Sequence, residues 1–83
     1  MPALDPVPER VIARRRRVGQ RIRTAREMAN LTQERLAELV DVDRRTIVNV
    51  ELGYTSPRLD TLLMIADAVR TPLSELVREG AGE

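Results

Sequence analysis

The sequence contains no cysteine and no histidine, and Tyr54 is its only aromatic residue. Without cysteine the chain has no disulfide, no thiolate metal site and no thiol nucleophile. Without histidine it lacks the commonest metal ligand and the usual general base. We therefore expect a protein that binds no metal and no other cofactor, and whose core is built from aliphatic side chains.

Lysine is also absent, so no residue of the usual kinds is available to activate the serine, threonine and carboxylate groups. No glycine-rich phosphate loop is present either. The sequence thus predicts that the protein is not an enzyme. No apolar run approaches the length that crosses a bilayer, and no signal-peptide segment follows the N-terminus. We expect a cytoplasmic protein with no membrane contact.

The small net charge of +1 conceals a separation of charge along the chain. Between Arg10 and Arg26 there are eight arginines and no acid. The rest of the chain holds six arginines against 13 acids, a net charge of −7. Such a basic segment predicts contact with a polyanion. The alternatives are a solvated helix end or pairing with acidic residues of the chain itself.

Length and periodicity predict a single all-helical domain. The chain of 83 residues has room for one modest core, and it shows no alternating pattern typical of strands. Three prolines occupy residues 1–8, which we interpret as a disordered lead-in. The domain is expected over residues 9–78, and residues 79–83 form a flexible tail.

The first helix is predicted over residues 9–29, where apolar residues recur every three or four positions from Val18 onward. Gly19 lies inside this run and weakens the helix by about 1 kcal/mol relative to alanine. Residues 14–17 are therefore expected to form either a separate turn or a frayed extension of this helix.

Two short helices joined by a tight turn follow. Thr32 is expected to cap a helix over residues 33–40, and Asp43 to cap a helix over residues 44–52. Asp41 lies in the turn, where the backbone is expected to adopt a positive φ that aspartate tolerates better than most residues. This layout is typical of a DNA-binding helix-turn-helix.

Two more helices complete the prediction. The fourth covers residues 59–69, and Thr71 and Pro72 are expected as the N-cap and first residue of a fifth helix that ends near residue 78. Met28 and Met64 are expected in the core. The residues predicted to face inward on the fourth helix are Leu59, Leu62, Ile65, Ala66 and Val69.

Several linked segments resemble the phage-repressor and Cro type, or XRE-like, helix-turn-helix family. They are LTQERLA at residues 31–37, TI at 46–47, ELG at 51–53 and PRLDTL at 57–62. The resemblance covers about residues 18–77. It implies an all-α, compact five-helix bundle of the lambda-repressor-like DNA-binding type, with its helix-turn-helix core over residues 33–52.

The resemblance assigns DNA contacts to Gln33, Arg44, Arg45, Thr46, Val48, Asn49 and Arg58. Arg44, Arg45 and Asn49 match the base-reading face, because arginine can bond guanine and asparagine can bond adenine in the major groove. Gln33 and Thr46 match positions that contact the DNA backbone. Arg58 matches a loop position near phosphates or the minor groove, and Val48 is expected on a thymine methyl.

Other residues receive roles outside the reading face. The resemblance implies a buried structural ion pair between Arg26 and Glu51. Further phosphate contacts are expected from Arg14, Arg15, Arg16, Arg17 and Arg21, subject to the alternatives given above for the basic segment. Three positions depart from the family pattern: Asp41 replaces a turn glycine, Leu52 replaces a polar or basic residue, and Arg58 replaces a serine N-cap.

The implied function is a sequence-specific, double-stranded DNA-binding transcriptional regulator, expected to be a repressor. Two copies on a palindromic operator would place their reading helices about 34 Å apart, so we expect a homodimer. Leu73, Leu76 and Val77 form the expected interface, and Leu52 with Tyr54 forms an alternative apolar patch. Two other functions stay open: an antitoxin-like or adaptor protein whose main partner is a protein, and a restriction-modification controller.

Overall fold

The computed structural model describes residues 6–79, and these residues contain α-helices and no strand. The helices are α1 (Glu9–Met28), α2 (Gln33–Val40), α3 (Arg44–Glu51), α4 (Leu59–Ala68) and α5 (Leu73–Val77). The expected all-α five-helix bundle is confirmed. The predicted lead-in and tail lie largely outside the described residues, at positions 1–5 and 80–83.

The first helix is continuous over 20 residues, so the separate turn or frayed extension expected at residues 14–17 is wrong. Gly19 explains how the helix continues. A Cβ built there would lie 2.5 Å from the carbonyl oxygens of both Val50 and Glu51. The missing side chain therefore allows the backbone of α1 to rest directly on the end of α3. This contact adds tertiary support to a segment whose intrinsic helix propensity is reduced.

The turn between α2 and α3 has the backbone geometry that was expected. Asp41 lies in the left-handed region with φ 58° and ψ 50°. Asn30 and Arg70 adopt φ 60° after α1 and α4 in the same way. Gly53, with φ 75°, follows α3. Left-handed residues at these ends direct the chain back toward the bundle and keep its connections short.

The N-cap residues of α2 and α3 are those that were predicted, whereas that of α5 differs. The Thr32 hydroxyl accepts a hydrogen bond of 2.9 Å from the amide of Arg35, which caps α2 as expected. Asp43 occupies the predicted N-cap position of α3, but its side chain forms no capping hydrogen bond. Pro72 rather than Thr71 is the N-cap of α5, because its ψ of 141° is extended.

All five helices contribute side chains to one core, in which α3 packs against α1 and α2, α4 packs against α2, and α5 packs against α1 and α4. Its buried residues are Ile22, Leu36, Ala37, Val40, Ile47, Val50, Ile65, Ala66, Val69 and Leu76. Three residues expected inside are exposed: Met28 at 80%, Leu59 at 63% and Met64 at 42%. Met28 follows Ile22 by six positions, about 240° around the helix, and therefore faces away from the core.

Two negative findings hold within residues 6–79. No helix there is long and apolar enough to cross a membrane. The same part of the chain contains no cluster of three acidic side chains that could hold a metal ion.

Candidate nucleic-acid interface

Helix α3 is held in place by the residues on its inner side. Ile47 is completely buried, and Val50 and Glu51 are nearly so. Ala37, also buried, lies on α2 where that helix packs against α3. A helix of eight residues is too short to be stable by itself in water. Its position therefore depends on these contacts with α1 and α2.

A buried polar network fixes the C-terminal end of α3. Arg26 of α1 donates to Glu51 through Nε at 2.6 Å and through Nη2 at 3.2 Å. The same guanidinium donates through Nη1 to the carbonyl oxygen of Leu31 at 2.8 Å. Gln33, the first residue of α2, donates to Glu51 Oε1 at 3.1 Å. Three helices thus meet at one carboxylate.

The hydrogen bond from Glu51 raises the pKa of Arg26 above its ordinary value, against the opposing effect of burial. Since the guanidinium of arginine is already protonated under all ordinary conditions, Arg26 remains charged throughout the pH range in which proteins fold. The paired arrangement predicted for Arg26 and Glu51 is what the structure contains. The protein can bury both charges because each is neutralised by the other and accepts or donates further hydrogen bonds.

The outer side of α3 presents charged groups to solvent. Arg44 and Arg45 are exposed, and neither guanidinium has an ion-pair or hydrogen-bond partner among residues 6–79. Thr46, Val48 and Asn49 are half-buried along the same helix. Two cations at a helix N-terminus oppose the helix dipole. An approaching anion relieves this unfavourable placement, so the surface is suited to a polyanion.

The structure brings Gln33 next to the outer side of α3. Gln33, Arg44 and Arg23 line one groove of about 570 Å³ at the start of α2. The hydrogen bond to Glu51 fixes the side-chain amide of Gln33 in that groove. Arg58 is exposed at the N-cap position of α4, where its side chain forms no capping hydrogen bond.

The basic segment of α1 is divided among different environments. Arg14 forms an ion pair with Glu79, as the alternative of pairing with the chain's own acids anticipated. Arg15 donates through Nε to the carbonyl oxygen of Gly53 at 2.8 Å. Arg21 donates to the carbonyl oxygen of Arg78. Arg16 and Arg17 are exposed. The phosphate contacts expected from this segment therefore do not form one continuous surface.

Arg23 and Gln20 share a second groove with Gln33 and Val48. As part of the basic segment, Arg23 was expected either to contact a polyanion or to be solvated, whereas Gln20 received no site role from the sequence. The spacing of Arg16, Gln20 and Arg23 was the available signal, because steps of four and three residues place side chains on one side of a helix.

The residues expected at a dimer interface do not form a common exposed surface. Leu76 is only 1% exposed and belongs to the core, so its assignment to an interface is wrong. Leu73 is half-buried and Val77 is exposed. Leu52 and Tyr54, the alternative patch, are both exposed.

Two packed helices with a left-handed turn and an exposed basic surface define a helix-turn-helix DNA-binding protein. The chain belongs to the Cro/C1-type, XRE-like helix-turn-helix family, whose helix-turn-helix model matches residues 22–76. Its recognised relatives include a phage repressor, a control protein and a transcriptional regulator.

The chain is 37% identical over 62 residues to the immunity repressor protein of Bacillus phage phi105, covering 75% of this chain but 43% of that protein. It is 34% identical over 64 residues to the control protein C.SmaI of Serratia marcescens, covering 76% of each. The chain thus spans less than half of the phage repressor and about three quarters of the control protein.

Solved structures show the same fold. The restriction-modification controller protein C.AhdI from Aeromonas hydrophila superposes with a TM-score of 0.73 at 36% identity, covering 77% of this chain and 97% of that one. The clp gene regulator ClgR from C. glutamicum has a TM-score of 0.74 at 20% identity, with coverages of 92% and 90%. At that identity the second likeness concerns the fold alone.

Proposed function

We propose that this chain is a sequence-specific, double-stranded DNA-binding transcriptional regulator that acts as a repressor by occluding a promoter. The observation that carries the proposal is the outer side of α3, where Arg44 and Arg45 are exposed without a partner in residues 6–79. The major groove, about 12 Å wide, admits a helix and displays a distinct pattern for each base pair. The protein acts by binding, without catalysis, on DNA in the cytoplasm.

Each proposed contact follows from the chemistry of its side chain. Arg44 and Arg45 bond guanine O6 and N7, and Asn49 bonds adenine N6 and N7. Val48 packs against a thymine methyl.

The remaining contacts position the protein on the duplex and carry no sequence information. Thr46 donates to a phosphate from the outer side of α3. Gln33 contacts the backbone while it braces Glu51, at the groove that it shares with Arg44. Arg58, exposed at the start of α4, reaches a phosphate or the adjoining minor groove.

A single domain of this size reads few base pairs, so we propose that two copies bind a palindromic operator. A two-fold arrangement separates the two α3 helices by about 34 Å, one turn of DNA. The exposed apolar side chains on α4, Leu59, Leu63 and Met64, are available for contact with the second copy. Sedimentation of the free protein and of its DNA complex measures the number of copies in each.

Selection of bound sites from a random oligonucleotide pool tests the proposal directly. A palindromic consensus is expected. Arg45→Ala should then weaken binding to the selected site by about 1–3 kcal/mol, roughly 5-fold to 150-fold, and relax the preference at one position. Arg35→Ala is the matched control, because Arg35 is an exposed arginine on α2 that is ion-paired with Glu38. If Arg45→Ala binds as tightly as the parent, the assignment of the reading face is wrong.

A restriction-modification controller is the second candidate. Both C.SmaI and C.AhdI are matched over most of their length, at 34% and 36% identity. On this alternative the gene lies beside a restriction endonuclease and a methyltransferase, and the selected site occurs upstream of one of them. Inspection of the genomic neighbourhood separates a controller from a general regulator.

A further inference from the structure

Six of the eight arginines of α1 lie in two stripes on different sides of the helix. The first, here called the α3-side stripe, consists of Arg16, Gln20 and Arg23. The second, here called the α5-side stripe, consists of Arg10, Arg14, Arg17 and Arg21. Spacings of three and four residues place the members of each stripe on one side of the helix, one above another. The two stripes are separated by a rotation of about 120° around the helix axis.

The α3-side stripe adjoins the proposed reading surface. All three of its residues line a groove of about 230 Å³ together with Gln33 and Val48. Arg23 also borders the groove that contains Gln33 and Arg44. A duplex seated on the outer side of α3 therefore approaches this stripe as well.

The α5-side stripe lies beside a different part of the molecule. Arg14, Arg17 and Arg21 line a cleft together with Val77 and Glu79. Arg14 pairs with Glu79, and Arg21 donates to the carbonyl oxygen of Arg78. These contacts direct the stripe toward the C-terminal end of α5, away from the grooves that Gln33 shares with α3.

The cations of the α3-side stripe are available to a ligand. The guanidinium of Arg16 has no ion-pair or hydrogen-bond partner in the part of the chain that the structure describes. Arg23 contacts Glu27 at 3.3 Å, but both side chains are more than half exposed. An exposed i,i+4 pair contributes little, so a phosphate can displace it.

The position of the stripe relative to α3 is set by backbone contacts. Gly19 rests on the carbonyl oxygens of Val50 and Glu51, and Arg15 donates to that of Gly53. The backbone of Arg16 is in turn packed against Gly53. Since α1 cannot slide along α3 without losing these contacts, the stripe is held in register with the reading surface before DNA arrives.

We propose that Arg16 and Arg23 bind two DNA phosphates that flank the bases read by α3, with Gln20 between them as a neutral hydrogen-bonding group. This inference rests on the proposed function. It adds a contact that the family match does not include, since Arg16 and Gln20 precede the matched residues 22–76. A rise of 1.5 Å per residue separates the two positions by about 10 Å, so they contact separate phosphates.

The experiment compares two double variants that remove the same charge from the same helix. Arg16→Gln with Arg23→Gln alters the α3-side stripe, and Arg10→Gln with Arg17→Gln alters the α5-side stripe. Affinity is measured from 50 to 200 mM salt on a duplex carrying the selected site and on one of unrelated sequence. Thermal unfolding of each variant shows that the fold is retained.

Two lost phosphate contacts reduce the slope of log affinity against log salt by about 1.8. Over this fourfold range of salt, the affinity of each protein falls by some factor. That factor should be about 12 times smaller for the α3-side variant than for the parent. The reduction is expected on both duplexes, because phosphates carry no sequence. The α5-side variant should keep the slope of the parent, because Arg17 lines the cleft beside Val77 and Glu79. The phosphate contact that the sequence suggested for Arg17 is therefore not part of this proposal. Replacing Arg16 and Arg23 by lysine should restore most of the slope, since the charge is retained.

Different failures have different meanings. If the parent binds neither duplex, the proposed function fails and this inference fails with it. If Arg45→Ala loses affinity as expected but the α3-side variant keeps the slope of the parent, only this inference is overturned. Equal reductions in both double variants also overturn it, because the charge of α1 would then act without a preferred side.

Discussion

On its inner face α3 buries Ile47, Val50 and Glu51, whereas its outer face exposes Arg44 and Arg45 to solvent. The inner residues lie within packed aliphatic side chains and a network of hydrogen bonds. The outer arginines have no such contacts within residues 6–79. Because an eight-residue helix is not stable alone, the outer face is presented only as long as the inner face is held. Stability and recognition therefore depend on opposite sides of one helix.

Arg26 and Arg45 show the same contrast with a single residue type. Arg26 is buried and hydrogen-bonded to Glu51 and Leu31, so its side chain is part of the structure. Arg45 is exposed and available to a ligand. Replacing the first should change the free energy of unfolding, whereas replacing the second should change DNA affinity.

The largest effect is expected for Arg26→Ala, which leaves Glu51 buried without its cationic partner. We expect a loss of about 3–5 kcal/mol in the free energy of unfolding, measured by urea denaturation. Since small domains are stable by only about 5–15 kcal/mol, this variant should be close to unfolding. The double variant Arg26→Ala with Glu51→Ala should lose less than the sum of the two single variants. A loss below about 1 kcal/mol for Arg26→Ala would contradict the structural role of the pair.

The next effect is expected for Gly19→Ala. Helix propensity alone predicts that this substitution raises the free energy of unfolding by about 1 kcal/mol. The structure predicts a cost of about 1–3 kcal/mol from overpacking, because the new Cβ would lie 2.5 Å from two backbone carbonyl oxygens of α3. We therefore expect a net loss of up to about 2 kcal/mol in the free energy of unfolding. Thr24→Ala, at an exposed position of the same helix, is the control and should gain up to about 0.7 kcal/mol. A stabilised Gly19→Ala protein would show that α1 and α3 are not in close contact.

The same glycine shows where sequence reasoning reached its limit. Periodicity predicted the helices to within one or two residues, and the αL residue at Asp41 followed from turn chemistry. The effect of Gly19 depends on α3, more than 30 positions later, and local propensity contains no information on that contact. For the same reason the basic segment was predicted as one run, although packing divides it between two sides of α1.

The incorrect predictions on α4 have a different cause. Most residues of this helix are apolar, so its sequence does not indicate which side faces the core. Ile65 and Ala66 are buried, whereas Leu59 and Met64 remain exposed. In the site, Gln33 was assigned from a motif. For Arg23 the sequence left open a phosphate contact or a solvated face, and its place beside Gln33 and Arg44 depends on how α1 packs against α2 and α3.

A smaller effect distinguishes the two N-caps of the helix-turn-helix. Thr32→Ala removes a hydrogen bond to the amide of Arg35 and should cost about 1 kcal/mol of stability. Asp43→Ala removes no capping hydrogen bond, so its loss should be less than about half of that value. It also removes an acid next to Arg44 and should not weaken DNA binding. Urea denaturation compares the two variants, and equal losses would show that Asp43 caps α3 in solution.

The smallest effect is expected for Asp41→Gly, which restores the family's common residue to the turn between α2 and α3. A left-handed conformation costs a residue with a side chain about 1–2 kcal/mol, although aspartate adopts it more readily than most residues. Glycine in turn loses about 0.5–1 kcal/mol through its greater freedom in the unfolded chain. The two effects nearly cancel, so we expect the free energy of unfolding of Asp41→Gly to rise by less than about 1 kcal/mol.

Asp41→Ala is the matched control, because alanine has neither the conformational freedom of glycine nor the tolerance of aspartate for a positive φ, and this variant should be less stable than both. The turn also sets the angle at which α3 leaves α2. Since glycine accepts the existing φ of 58° without strain, that angle should be kept, and affinity for the selected site should change less than twofold. A larger change in affinity with an unchanged free energy of unfolding would mean that strain at Asp41 affects the outer face of α3. In that case the turn would contribute to DNA binding as well as to stability.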